Sequence, residues 1–191
     1  ATTQTISAPI ALNSDLTVTG FAGGTTILGN LTGAARNLTA NTSGSALTLT
    51  GTNTYNNTSV ASGVTLNVGN GGSSGNLGSG TVTNSGTIFF NRSDTTLSVG
   101  AAINGVGNLT QSGTGTTTLT GTNGYTGTTS ISAGTLKLSG GGTLGASNST
   151  LGVIASGAVL DLNGTNQMVS AFSGTSAGQI QNNSGGGTSV L

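Results

Sequence analysis

Apolar residues recur at every second position along much of this chain, in runs of only two or three. Leu16 and Val18 alternate with Thr, as do Leu47 and Leu49. Val64, Leu66 and Val68 form a longer stripe, and Leu136 with Leu138 and Leu160 with Leu162 repeat part of it. A period of two places such residues on one side of a strand and the intervening Thr, Asn, Lys or Asp on the other. Gly, Asn and Ser bound each run, as turns require. Helix signals are missing: Glu is absent, Lys occurs once, and Gly or a β-branched residue interrupts every candidate window.

Strands this short are unstable as isolated hairpins and need stacking. The sequence shows how they stack, because it repeats. Ala46-Leu-Thr-Leu-Thr-Gly-Thr-Asn-Thr-Tyr55 returns as Thr118-Leu-Thr-Gly-Thr-Asn-Gly-Tyr125, with Leu49, Gly51 and Tyr55 matching Leu119, Gly121 and Tyr125 at an offset of 70. Val60 and Gly63 match Ile131 and Gly134 at 71, and Thr65, Leu66 and Val68 match Thr135, Leu136 and Leu138 at 70 again. Near-fixed repetition marks a quasi-one-dimensional fold. The expectation is an all-β, single-stranded parallel β-helix of about eight coils, roughly 23 residues each if one repeat spans three coils. At roughly 4.8 Å per strand it forms a rod on the order of 40 Å long. Residues 1–191 read as a single β-solenoid domain, with the clearer repeats near 37–68 and 107–138.

Composition narrows the function. Charged residues make up 3% of the chain and the net charge is zero, against about a quarter in ordinary globular proteins. No basic patch is present to release counterions from nucleic acid or to meet an anionic membrane surface. Whole-chain disorder conflicts with the 32% of regularly spaced hydrophobic residues. Cys is absent, which excludes disulfides and thiolate metal sites. No stretch approaches the roughly 18 apolar residues of a membrane helix. The chain opens on Ala1 rather than Met, as a processed or cut chain would.

Residues 107–138 carry Gly107-Asn-Leu-Thr110, Gly113-Thr-Gly115, Leu119-Thr-Gly121-Thr-Asn123-Gly-Tyr125-Thr-Gly127 and Ile131-Ser-Ala-Gly134-Thr-Leu136. This series closely resembles the passenger-associated repeat of bacterial autotransporters. Residues 37–68 resemble it less well, with Asn57 where the pattern has Gly and Val64 inserted. The resemblance implies a parallel β-helix passenger, extracellular or at a bacterial cell surface. It leaves activity open, because fold does not fix function. The family's C-terminal membrane barrel needs aromatic girdles, and six aromatic residues do not supply them.

His, Cys, Glu and Trp are all absent, which removes imidazole acid–base chemistry, thiol nucleophiles and most transition-metal sites. Asp94 and Asp161 fall about three coils apart, roughly 14 Å, too far for a carboxylate pair. No catalytic residue, metal site or cofactor is expected, and the chain reads as a non-enzyme. Tyr55, Tyr125 and Phe90 are the candidate surface contacts. Two equivalent exposed tyrosines would suit a sugar, although their place after a Gly-Thr-Asn turn favours packing over a coil corner. Asn53 and Asn123 invite a stacked side-chain ladder. Of adjacent Phe89 and Phe90, one points in and one out. Thr-rich segments such as Thr116–Thr118 and Thr126–Thr128 raise ice binding, ranked below glycan because the rows are not kept from coil to coil.

A solenoid has open ends that pair with other chains. Pro9 limits pairing near one end, while Gly185-Gly-Gly-Thr-Ser-Val-Leu191 looks like the start of another strand. The functional expectation is therefore a structural or adhesive surface solenoid that self-associates head to tail through its ends into a filament. The alternative is a solenoid that binds a glycan, a cell-surface partner or ice.

Overall fold

The computed structural model describes residues 2–20, 24–42, 44–173 and 177–184. The heptapeptide Gly185–Leu191, read as a further strand, lies outside them. Among the described residues there is no helix, and every strand pairs in parallel. No helix is long and apolar enough to cross a membrane. The expected parallel β-solenoid of about eight coils is present.

The coil has three faces, of which only the first is one continuous sheet along the described residues. The first is a nine-stranded sheet: Thr3–Ile6, Thr25–Leu28, Ala46–Leu49, Thr65–Val68, Thr87–Phe90, Asn108–Gln111, Thr128–Ile131, Thr150–Ile154 and Ala171–Phe172. The second begins with Ile10–Ala11 and Leu31–Thr32, then passes through irregular backbone. It resumes as Leu97–Val99, Thr116–Leu119, Thr135–Leu138, Val159–Asp161 and Gln179–Gln181. Hydrogen bonds bridge the gap. Asn53 Oδ1 accepts from the Leu31 amide, Asn53 bonds to Asn76, and Asn76–Gly78 lies against Leu97–Ala101. The third face holds Leu16–Val18, Leu38–Ala40, Thr58–Val60, Val82–Asn84 and Ile103–Asn104.

Alternation fills the interior. On the first face Leu47, Leu66, Ile88 and Leu109 form one buried column, and Leu28, Leu49, Val68 and Phe90 form another beside it. Burying such side chains is the main stabilising term, about 1.5–3 kcal/mol for each. Identical register from coil to coil keeps apolar positions over one another, since a slip of one residue would turn every side chain outward.

The coils are shorter than expected. Register carries Thr3 to Thr25, Thr25 to Ala46 and Ala46 to Thr65, so successive coils differ by a few residues. Thr3 and Ala171 stand in the same register eight coils apart, an average of 21 residues. An offset of 70 is therefore three coils and a third of another, not three whole coils. Ala46–Leu49 lies on the first face, but its equivalent Thr116–Leu119 lies on the second. Thr58–Val60 lies on the third face, and its equivalent Thr128–Ile131 on the first. The second copy of the repeat is turned by one face relative to the first.

Glycine serves two purposes in this geometry. Gly63 and Gly134, equivalent in the two copies, have φ of 74° and 59°, a left-handed turn that a Cβ would disfavour. Gly51 and Gly121, also equivalent, sit where coils touch. A Cβ on Gly51 would lie 2.3 Å from the Asn30 amide nitrogen, and one on Gly121 2.7 Å from the Ala101 carbonyl oxygen.

Candidate functional site

The phrase shared by the two repeats builds a corner. After its Leu-Thr-Gly-Thr strand end, the chain turns Asn inward and then Tyr. Tyr55 and Tyr125 are both 0% exposed. Tyr55 Oη lies 3.2 Å from Thr58 Oγ1, and Tyr125 Oη 2.5 Å from Thr129 Oγ1. A buried phenol needs such a partner. Desolvation pushes the Tyr55 hydroxyl up to about 12 and raises that of Tyr125 further, so both stay neutral.

Neither tyrosine is available to a ligand, and the surface-contact expectation for them is corrected. Phe90 is corrected likewise: it shares the inward parity of Ile88 and is 0% exposed, whereas Phe89 is the half-buried outward neighbour. The packing alternative for the tyrosines matches what the fold shows.

The asparagines do form ladders. Asn53 accepts from the Leu31 amide at 2.9 Å and donates to the Asn76 carbonyl at 2.7 Å, while Asn76 Oδ1 receives the Asn53 amide. Asn123 repeats the pattern a face away, accepting from Ile103 and donating to the Thr143 carbonyl, both within 2.9 Å. A second ladder rises at another corner. The amides of Asn37, Asn57 and Thr81 donate in turn to Asp15, Asn37 and Asn57 of the preceding coil. That amide is the main reason the Asp15 carboxyl lies below the usual carboxylate range.

The charged groups pair rather than converge. Arg92 grips Asp94 with two nitrogens, Nε at 2.8 Å and Nη2 at 2.6 Å, and holds its carboxyl well below the ordinary value. Lys137 lies 3.9 Å from Asp161. The Thr116 amide donates to the Asp94 carbonyl one coil back, and Thr135 and Val159 follow Thr116 in register, so Asp94 and Asp161 stand three coils apart as expected. Among the described residues no three His, Cys, Asp or Glu side chains come together. A recess of about 270 Å³ opens at the first coil, lined by Ile6, Ile10, Leu16, Val18 and Leu28 with three threonines.

The stretch Leu109–Leu138 thus contains one full corner with its flanking strands. Residues 109–138 match the family model of the Passenger-associated-transport-repeat. Searches of curated proteins and of solved structures return no match. The matched repeat runs from the first face to the second, at Thr116–Leu119, and then again from the first, at Thr128–Ile131, to the second, at Thr135–Leu138. The chain thus carries one such repeat within a parallel β-solenoid, a combination that suggests an autotransporter passenger-like β-helix.

One surface escaped the sequence reading. On the first face, residues in register facing outward are Thr3, Thr25, Ala46, Thr65, Thr87, Asn108, Thr128, Thr150 and Ala171. Threonine fills six of these nine positions, broken by Ala46, Asn108 and Ala171, so the rows are only partly kept from coil to coil. Coil lengths vary, so no fixed spacing in the sequence reveals them. The parallel outward column is Thr5, Ile27, Thr48, Asn67, Phe89, Thr110 and Ser130. Asn67 Nδ2 donates to Thr48 Oγ1 across adjacent strands at 3.2 Å.

Proposed function

We propose that this chain is a non-enzymatic structural and adhesive rod, displayed outside a bacterial cell. The observation that supports it most is the turn of the second repeat by one face. Its two copies bury the same side chains in the same way while facing different directions. A motif displayed twice to bind one partner would keep one direction; a motif that builds coils need not. Placement at the cell surface rests on the matched transport repeat. Near-absence of charge argues against nucleic acid as partner.

Cells displaying the chain test this reading. Inserting a further copy of residues 69–138 should lengthen the rod by about 16 Å at the strand spacing and change attachment to surfaces with length. Swapping outward residues between the two repeats should leave attachment unchanged. Loss of a measured turnover on Asp94→Ala or Asp161→Ala, with the fold intact, would instead make the chain an enzyme.

A second reading is end-to-end association of solenoids; among the described residues, apolar side chains are exposed where the columns stop. Ile6 is 45% exposed at one end, and Phe172 and Ile180 are 52% and 38% exposed at the other. In register they continue the buried column residues Leu28, Leu151 and Leu160. Association that does not close gives filaments, visible in negative-stain microscopy; a dilution series that scatters light only as monomers would oppose it.

A further inference from the structure

Asparagine is followed by glycine at four places in the chain, Asn70, Asn104, Asn123 and Asn163. Such a pair carries a latent reaction, because glycine has no side chain to keep its nitrogen away from the carboxamide before it. The glycine nitrogen bonds to Cγ of the asparagine, the bond from Cγ to Nδ2 breaks, and ammonia leaves with the glycine's proton. Water then opens the cyclic imide at either carbonyl, leaving an aspartate or an isoaspartate. A hydrogen bond from the glycine N–H opposes the first step, since it fixes the nitrogen and retains its proton.

The fold treats the four pairs differently. The Gly71 amide donates to the Asn91 carbonyl at 2.8 Å, although Asn70 itself is exposed. The Gly124 amide donates to the Ile103 carbonyl at 2.9 Å, and buried Asn123 is bound through both side-chain atoms to the adjacent coils. The Gly164 amide donates to Asn182 Oδ1 at 2.7 Å. Among the described residues the Gly105 amide meets no acceptor, and the Asn104 side chain makes no hydrogen bond. Asn104 is exposed, at the end of the last strand of the third face.

We propose that Asn104 is a modification site of this chain, the asparagine that deamidates first in the folded protein. Exposure alone would select Asn70 equally well; the unbonded Gly105 amide decides between them. The change has a local structural consequence. The Ile103 carbonyl accepts from the Gly124 and Tyr125 amides at 2.9 and 3.2 Å, and the Gly105 carbonyl accepts from Thr126 at 2.9 Å. Asn104 therefore stands between the two carbonyls that hold the tyrosine corner of the next coil. An aspartate there adds a negative charge to a chain whose net charge is zero. An isoaspartate also adds a methylene to the main chain, which shifts one carbonyl relative to the other and loosens that corner. This inference is independent of the proposed surface role, because it concerns the chemistry of one residue and not where the rod is displayed.

The test incubates the whole folded chain at mildly alkaline pH, which favours loss of the amide proton, beside a sample held unfolded in denaturant. Peptide mapping by mass spectrometry reads each asparagine separately, so the other three pairs serve as internal controls. In the folded chain Asn104 should convert ahead of Asn70, Asn123 and Asn163 by about fivefold, the weight of one typical hydrogen bond. In denaturant that lead should vanish, since every glycine amide is then free. Amide exchange at Tyr125 and Thr126 should quicken in the converted fraction, while exchange at Ile88 on the first face stays as it was. Earlier conversion of Asn70 in the folded chain overturns the proposal, as does failure of Asn104 to convert. A lead that persists in denaturant overturns it too, because the flanking residues and not the fold would then set the rate.

Discussion

Tyr125 and Thr129 share a hydrogen bond of 2.5 Å wholly inside the solenoid, and Thr129 passes the link on to the carbonyl of Leu144 at 3.3 Å. The tyrosine thereby ties its own corner to the coil that follows. Tyr125→Phe keeps the ring and removes the bond, so it should cost about 1 kcal/mol, the net worth of a typical buried hydrogen bond. Tyr125→Ala adds a cavity and should cost about 3–5 kcal/mol. Denaturant unfolding of both variants measures the two losses, and equal losses would show that the hydroxyl rather than the ring carries the stability.

Phe89 and Phe90 should part company under the same substitution. Phe90→Ala empties a buried position between Val68 and Gln111 and should cost about 3–5 kcal/mol. Phe89→Ala removes an outward side chain and should fall within about 1 kcal/mol of the parent. Reversal of that order in thermal melts would mean the strand is in the opposite register.

Asn123→Ala tests the ladder. The variant leaves the Ile103 amide and the Thr143 carbonyl without their partners in a buried setting, at about 1–3 kcal/mol for each orphaned group. Asn53→Ala should behave alike, because its bonds to Leu31 and Asn76 are equivalent. Amide hydrogen exchange should quicken first at Ile103 and Leu31 respectively.

Stability should be nearly flat from about pH 5 to pH 9, since the chain has no His, Cys or Glu to titrate there. At the alkaline side, Tyr55 holds its proton more tightly when folded, with a value of about 12 against 10.0 for the ordinary group. The folded state binds more protons than the unfolded one in that window, so stability falls as pH rises from about 10 to 12. Tyr125 acts in the same sense. At the acid side Asp94 and Asp15 are depressed, chiefly by the Arg92 side chain and the Asn37 amide respectively. Their contributions are present above the ordinary carboxylate value and are lost as pH drops below it. Tyrosinate absorbance followed alongside circular dichroism should show both tyrosines ionising only as the fold opens; ionisation near 10 with the fold intact would contradict their burial.

The class of fold was legible because alternation and repetition both survive in the sequence: Leu66 and Val68 reappear as Leu136 and Leu138 with the same Gly before them. The orientation of the copies was not. Turn lengths vary between coils, so an offset of 70 gives no sign of whether it spans whole coils, and only the pairing of Leu97 with Thr117 and of Thr65 with Thr87 decides it. Tyr55 and Tyr125 were ambiguous for a related reason. A tyrosine after a polar turn reads as exposed until Thr58 and Thr129 are seen to meet their hydroxyls. The threonine column of the first face was hidden altogether, because its members are separated by unequal coils.

The claim that the second repeat is turned by one face rests on pairings that cysteine cross-linking measures directly, in a chain that has no cysteine of its own. Ser98 and Thr118 are register partners on the second face, with Cα atoms at about the 4.8 Å strand spacing, inside the range a disulfide spans. The double variant Ser98→Cys/Thr118→Cys should close under mild oxidation. Thr95→Cys/Thr118→Cys, the pairing that three equal coils of roughly 23 residues would require, should stay open. Closure of the second pair with the first remaining reduced would place both repeats on one face and contradict the account.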